Sequence, residues 1–165
     1  MQSKHVSDSS VVMAVVMQPA DANPAGNVHG GVIMNNIDSA AGVVALRHAA
    51  GNAVTASIDR LDFHNPVYVG ELLFLKACIN LVGKSSMEIG VRVEAENPQK
   101  GQVRHVASAY LTFVALDRDK RPASVPGLIL ETDEERRRNS EAISRRAMRL
   151  AEKEQEKRSR RQGKP

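Results

Sequence analysis

The run Asn23-Pro24-Ala25-Gly26-Asn27-Val28-His29-Gly30-Gly31-Val32-Ile33-Met34-Asn35-Asn36-Ile37-Asp38 decides how the rest of this chain must fold. It opens as a polar turn punctuated by Pro and Gly and passes through a Gly pair. It then turns apolar at helical spacing, which predicts a helix over Val32–His48, with Gly51-Asn52 ending it as a pair tolerant of left-handed backbone. That helix carries one carboxylate, Asp38, among Ile37, Ala40, Ala41, Val43 and Val44. A helix so apolar is expected to be buried on most sides, and a carboxylate within it needs a partner or a task. The Gly pair falls where helix N–H groups lack intrahelical partners, at the positive end of the dipole. Such donors suit a polarised oxygen.

Outward from this segment the pattern changes to strands. Val11–Met17 is a short apolar run bounded by turn residues, and residues 1–10 before it are polar and expected to be loose. After the helix, strands are expected over Ala53–Phe63, Leu72–Val82, Ser86–Glu96 and Val103–Leu116. The fourth run alternates Met87, Ile89, Val91 and Val93 with Glu88, Gly90, Arg92 and Glu94, as a strand with one wet face does. Gly83-Lys84 and Asn97-Pro98-Gln99-Lys100-Gly101 supply the turns, and the short connections imply a mostly antiparallel sheet. Arg121–Leu128 holds Pro122 and Pro126 and must be extended. One helix too apolar for water beside such a sheet has to lie against its concave face. The fold class is therefore α+β, an antiparallel sheet wrapped around one long central helix.

Composition narrows the function classes. Aromatic residues are 3% and Trp is absent, so the core must be aliphatic. The single Cys78 excludes an internal disulfide, fits a reducing compartment and falls in a strand, where it reads as a small core residue. No apolar run approaches the roughly 20 residues of a membrane span, and the N-terminus lacks a signal-peptide pattern, so a cytosolic protein is expected. The formal charge of +4 sits wholly in Glu131–Pro165, which holds 12 Lys and Arg against 8 Asp and Glu, while the body is neutral. Thr132 and Glu135 make a capping box there, and Ile143, Ala147 and Leu150 form a thin apolar stripe. This segment could dock, pair with another copy or project into solvent, and Ser159–Pro165 is expected to be disordered. A basic tail can touch nucleic acid, but the body has no basic stripe interleaved with aromatics, so a solvated helix is the favoured reading. His48, His64 and His105 show no metal-ligand spacing.

The block Asn23–Gly31, followed by Ile33-Met34 and Asp38, resembles the signature of the acyl-CoA thioesterases of the hotdog superfamily, the cytosolic acyl-CoA hydrolase branch in particular. The resemblance continues through Asp62-Phe63, Gly70-Glu71, Val82–Met87 and Thr112–Asp117. It implies a thioesterase domain over residues 11–128, between residues 1–10 and a charged helical tail over 129–165. It also implies hydrolysis of acyl-CoA to a carboxylic acid and CoA, with no cofactor. Asp38 from one subunit, as general base toward water or as nucleophile, and Asn23 from its mate would carry the chemistry, with a backbone N–H of Gly30 or Gly31 holding the carbonyl oxygen. His64, Asn65 and Pro66 would lie beside CoA, and His29 near it. Lys84, Ser85 and Ser86, at a hairpin turn, could meet its phosphates. A homodimer with shared sites, assembled as a trimer of dimers, is implied as well.

Bland readings stand beside these. Asp38 could be a structural helix carboxylate, Asn23 a turn residue, His29 a helix cap and the Lys84 turn an ordinary hairpin. Arg60, Arg92 and Arg104 read as exposed strand charges. No Gly-x-Ser-x-Gly elbow supports a Ser–His triad. A hotdog dehydratase using His29, or a non-enzymatic CoA-binding or regulatory protein, are the alternatives.

Overall fold

The structure, a computed structural model, describes residues 1–162 of the chain. In order it runs β1 (Lys4–His5), α1 (Val6–Ser9), β2 (Val11–Val16), a 3-10 turn at Pro19–Asp21, α2 (Gly30–Ala49), β3 (Asn52–Phe63), β4 (Leu72–Val82), β5 (Ser86–Asn97), β6 (Gln102–Leu116), β7 (Leu128–Ile129) and α3 (Asp133–Gln162). The main sheet has five strands in the order β2-β4-β5-β6-β3, every neighbouring pair antiparallel. Alternation built it: Leu73, Leu75, Ala77 and Ile79 of β4 and Met87, Ile89, Val91 and Val93 of β5 all turn to one face and are buried.

α2 lies on that face and buries Ile33, Ile37, Ala40, Ala41, Val44, Ala45 and His48. Burying each Val or Ile side chain stabilises the fold by roughly 1.5–3 kcal/mol. The arrangement is the hotdog architecture. The helix is not buried on most sides, however. Met34 and Leu46 are exposed on its other face, and on β3, a sheet edge, Val54, Ile58 and Phe63 are also exposed.

Several boundaries differ from the sequence expectation. The Gly pair forms the first turn of α2 instead of preceding it. The left-handed residue that ends α2 is Ala50, at φ 51°, and not Gly51. Residues 4–9 are packed rather than loose: β1 pairs with β7, Val6 and Ser9 are buried, and Lys4 Nζ donates to the carbonyls of Arg47 and His48 at the end of α2. A helix C-terminus with unpaired carbonyls attracts such a cation.

The tail also differs. α3 runs on through Ser159 to Gln162, where disorder was expected, and the rest of that expectation, residues 163–165, lies outside the described residues. It docks on the outer face of the sheet, opposite α2. Its expected apolar stripe of Ile143, Ala147 and Leu150 faces away and is exposed. The docked side presents Arg138, Asn139, Ala142, Arg145 and Arg149, with Ala142 fully buried. The reason is the surface it meets: the outer face holds Asn80, Glu88, Asp59 and Thr112, so a polar helix face complements it. Cys78 belongs to this outer face, half-buried, with Arg138 Nη1 3.2 Å from its Sγ; burial raises the thiol pKa, opposed by that guanidinium.

Candidate active site

The turn before α2 is built by Asn23. Its Oδ1 accepts from the N–H groups of Ala25, at 2.9 Å, and Asn27, at 3.2 Å, while Gly26 takes φ 86°. Val28 N–H donates to the Val67 carbonyl and His29 N–H to the Asp21 carbonyl, which fixes where α2 begins. The His29 ring then caps the helix, its Nδ1 accepting from Gly31 N–H at 3.2 Å. Of the Gly pair, Gly31 therefore has a partner. Gly30 N–H has none among the described residues. One unpaired donor at the positive end of a 20-residue helix can receive an oxygen that gains negative charge.

Gly30 lines a shallow groove of about 280 Å³, together with Asn23, Phe63, His64, Asn65 and Pro66, among others. The far wall is held to β6: His64 N–H donates to the Val106 carbonyl, Asn65 Nδ2 to the His105 carbonyl, and the His64 and His105 rings lie 4.8 Å apart. Arg104, expected to be exposed, is a clamp instead. Its guanidinium forks onto Glu71 at 2.7 and 2.6 Å and donates to the Pro66 carbonyl at 2.7 Å. Burial pushes the Glu71 carboxyl pKa up, but the bonds from Arg104 and Tyr68 N–H outweigh it and hold it below the ordinary value.

Asp38 is not in this groove. It sits about two turns along α2, half-buried, and its Oδ1 accepts from the Thr55 hydroxyl at 2.7 Å; its second oxygen has no partner among the described residues. Thr55 was missed from the sequence, where a lone Thr on a strand carries no signal of its own. Only its register places it across from α2.

Besides Asp38, which bonds to Thr55, the expected site residues fall into two groups. Asn23, Gly30, His64, Asn65 and Pro66 share one groove, which His29 and Gly31, the neighbours of Gly30 in the chain, do not line. Lys84, Ser85 and Ser86 sit at the β4–β5 hairpin, tied through the Ser85 carbonyl to Ala115 and the Lys84 carbonyl to Val125. That is the Asn52–Thr55 end of the β3–β6 ladder, whereas the groove is at the Phe63 end. A single protomer does not bring the groups together.

A roomier cavity of about 350 Å³ lies between α3 and the outer face. Its cations are matched: Lys76 and Arg92 with Glu94, Arg137 with Glu134 and Glu141, and Arg138 with Glu134. The groove at the start of α2, with an unpaired donor, is the better candidate. Among the described residues no group of three or more His, Cys, Asp or Glu side chains could hold a metal ion, and no helix is long and apolar enough to cross a membrane.

The model of the Thioesterase superfamily matches residues 25–102. The uncharacterized acyl-CoA thioester hydrolase YkhA of Bacillus subtilis is 35% identical over 87% of this chain and 84% of its own length. The acyl-CoA hydrolase of Staphylococcus aureus, solved with butyryl coenzyme A, coenzyme A and coenzyme A disulfide, superposes with a TM-score of 0.88 at 35% identity, over 94% of this chain and 95% of that one. It has also been characterised as variants in which an aspartate, an asparagine or a threonine is replaced by alanine. A hexameric acyl-CoA thioesterase superposes with a TM-score of 0.89 at 34% identity, over 92% and 97% of the two chains. Alike in sequence along most of its length and in fold throughout, the chain belongs to the acyl-CoA thioester hydrolases of the Thioesterase superfamily.

Proposed function

We propose that this protein hydrolyses acyl-CoA thioesters to the free acid and CoA, at sites shared between two protomers. The observation that carries the reading is Asp38. It is the sole carboxylate of α2, oriented by Thr55 through one oxygen, with the other free to take a proton. A water attacks the thioester carbonyl carbon and gives its proton to Asp38. The carbonyl oxygen gains negative charge against Gly30 N–H, a donor of a kind worth on the order of 3 kcal/mol in the transition state. The C–S bond then breaks, and the CoA sulfur leaves with the proton that Asp38 returns. Asn23 of the other protomer positions the water or the carbonyl. No step asks for a cofactor.

Two further observations support the shared site. Asn23 and Asp38 lie in separate places within one chain, and the edge strand β3 and the outer flank of α2 expose Ile58, Phe63, Met34 and Leu46. Pairing two copies edge to edge covers this surface and turns the loop before one helix toward the middle of the other. In the Staphylococcus aureus variants the altered asparagine, aspartate and threonine are spaced 15 and 17 residues apart, the spacing of Asn23, Asp38 and Thr55 here. The hexameric neighbour supports further assembly as a trimer of dimers. His64, Asn65 and Pro66 flank the CoA moiety, and Lys84, Ser85 and Ser86 of one protomer reach its phosphates across the pair. The free thiol of Cys78 fits action in the cytoplasm.

The test is thiol release from a series of acyl-CoAs by the purified protein. Turnover of at least one chain length is expected; a folded protein that releases no CoA from any of them contradicts the reading.

A further inference from the structure

The tail helix has no part in the reaction as described, yet its side chains reach the strand that orients Asp38. In the β3–β6 ladder the register slips twice, between Thr55 and Ser57 and between Ile58 and Arg60, which makes Ala56 and Asp59 the extra residues of two bulges. The first bulge immediately follows Thr55. Asp59, the extra residue of the second, turns outward and gathers the strand around it. Its Oδ1 accepts from the Ser57 hydroxyl at 2.6 Å, and its Oδ2 from the Thr112 hydroxyl at 2.7 Å. Thr112 is the residue of β6 that faces Ser57 in the register. Arg149 of α3 completes the cluster by donating to both Asp59 and Thr112.

Arg149 is held at that point by the rest of α3. Asn139 Nδ2 donates to the Asn80 carbonyl at 2.7 Å, Arg145 pairs with buried Glu88 at 2.7 Å, and the Arg145 guanidinium lies 3.7 Å over the Tyr110 ring. Gly90, next to this track, has no room for a side chain: a Cβ would meet Asn80 Nδ2 at 2.7 Å. The Asp59 and Arg149 side chains are only 9% and 17% exposed, so their attraction is little screened by water. A bulge is a place where a strand can be re-aimed. Here a charged latch fixes it from outside, while Thr55 on the opposite face holds Asp38.

We propose that Arg149 is a positioning residue for the hydrolysis: through Asp59 and Thr112 it locks the bulged segment of β3 and so keeps the Thr55 hydroxyl on Asp38. This rests on the reading of Asp38 as the proton acceptor. It gives the basic tail a role inside the fold, distinct from binding nucleic acid or membrane.

The experiment compares Arg149→Gln, Thr55→Ala and the double variant by kcat and KM on one acyl-CoA, with exposed Arg137→Gln on the same helix as control. Arg149→Gln is expected to lower kcat about tenfold with KM little changed, as a small misplacement of a catalytic group does. In the Thr55→Ala background it is expected to cost nothing further, because the hydroxyl it positions is gone. A general loss of folding would instead add to the Thr55→Ala defect. If Arg149→Gln fails to fold, Thr112→Val removes one hydroxyl of the same cluster and is read in the same way. A folded variant with wild-type kcat, or losses that multiply in the double variant, overturns the proposal. Hydrogen exchange keeps the test separate from the assignment of activity: Arg149→Gln is expected to speed exchange at residues 55–60, and unchanged exchange there overturns the latch even if the wild type hydrolyses nothing.

Discussion

Asp38 is half-buried and, among the described residues, has one hydrogen-bonding side-chain partner, Thr55, and no ion-pair partner, which is consistent with the proposed role as proton acceptor. Replacing it with Asn keeps the bond from Thr55 and removes the proton acceptor. Asp38→Asn is expected to fold and to lose at least about a hundredfold in kcat, the scale of a positioned acid–base group; turnover near wild type would contradict the mechanism. Thr55→Ala removes one hydrogen bond to a carboxylate, worth about 1.5–3 kcal/mol, so a loss of roughly ten- to a hundredfold is expected in the same assay. His48 is a separate case, far from the chemistry. It is fully buried between Ser9 Oγ and the Pro126 carbonyl, and burial, assisted by nearby Lys4, pulls its pKa below the ordinary 6.5 against the opposing Pro126 bond and Asp8. The unfolded chain therefore binds a proton that the folded one refuses. The stabilisation is complete above about pH 6.5 and is lost as pH falls from there toward the lowered folded pKa. The urea midpoint is expected to drop between pH 7 and pH 5, and His48→Gln to flatten that slope; an equal slope in both proteins would exclude His48 as its source.

At the scale of elements, alternation made the strands legible. Leu72–Val82 is found as expected, and the others differ by one residue at one end, because each has one apolar face that must meet α2. What could not be read is what depends on a neighbour. The bulges of β3 exist only as register against β6, so Thr55 was invisible as a partner of Asp38. The docking of α3 was not legible: a solvated helix is the favoured sequence reading because the apolar stripe is thin, and the face that does dock is polar, matched to a polar sheet surface. The N-terminal residues looked loose because only Val6 and Ser9 are buried, too few to form a pattern. The end of α2 was misplaced by one residue because Gly51 adapts to left-handed backbone more readily than Ala50, which in fact takes it. That choice is testable. An L-residue in the left-handed region carries a penalty of roughly 1–2 kcal/mol, partly offset by the greater backbone entropy of Gly in the unfolded chain. Ala50→Gly is expected to raise stability by about 0.5–1 kcal/mol in urea unfolding; a decrease would mean that the Ala50 side chain contributes packing.

For the whole molecule, one protomer has a groove lined by Gly30 at one end of its sheet and Asp38, the proposed proton acceptor, elsewhere. The groove was legible because its residues are contiguous in the Asn23–Gly31 turn and the Phe63–Pro66 turn; the pairing of Asn23 with Asp38 rested on resemblance. Exposed Ile58, Phe63, Met34 and Leu46 give the proposed pairing a physical cause, since a second copy placed against the edge strand and the bare helix flank would cover both. The most direct measurement is complementation. Inactive Asn23→Ala and Asp38→Asn chains are unfolded, mixed in equal amounts and refolded, and thiol release from acyl-CoA is compared with each variant refolded alone. A mixed dimer has one site with both defects and one with neither, and half of randomly paired dimers are mixed, so about a quarter of wild-type activity is expected to return. If the mixture stays inactive although mixed dimers are shown to form, each chain holds its own complete site and the shared-site account is wrong.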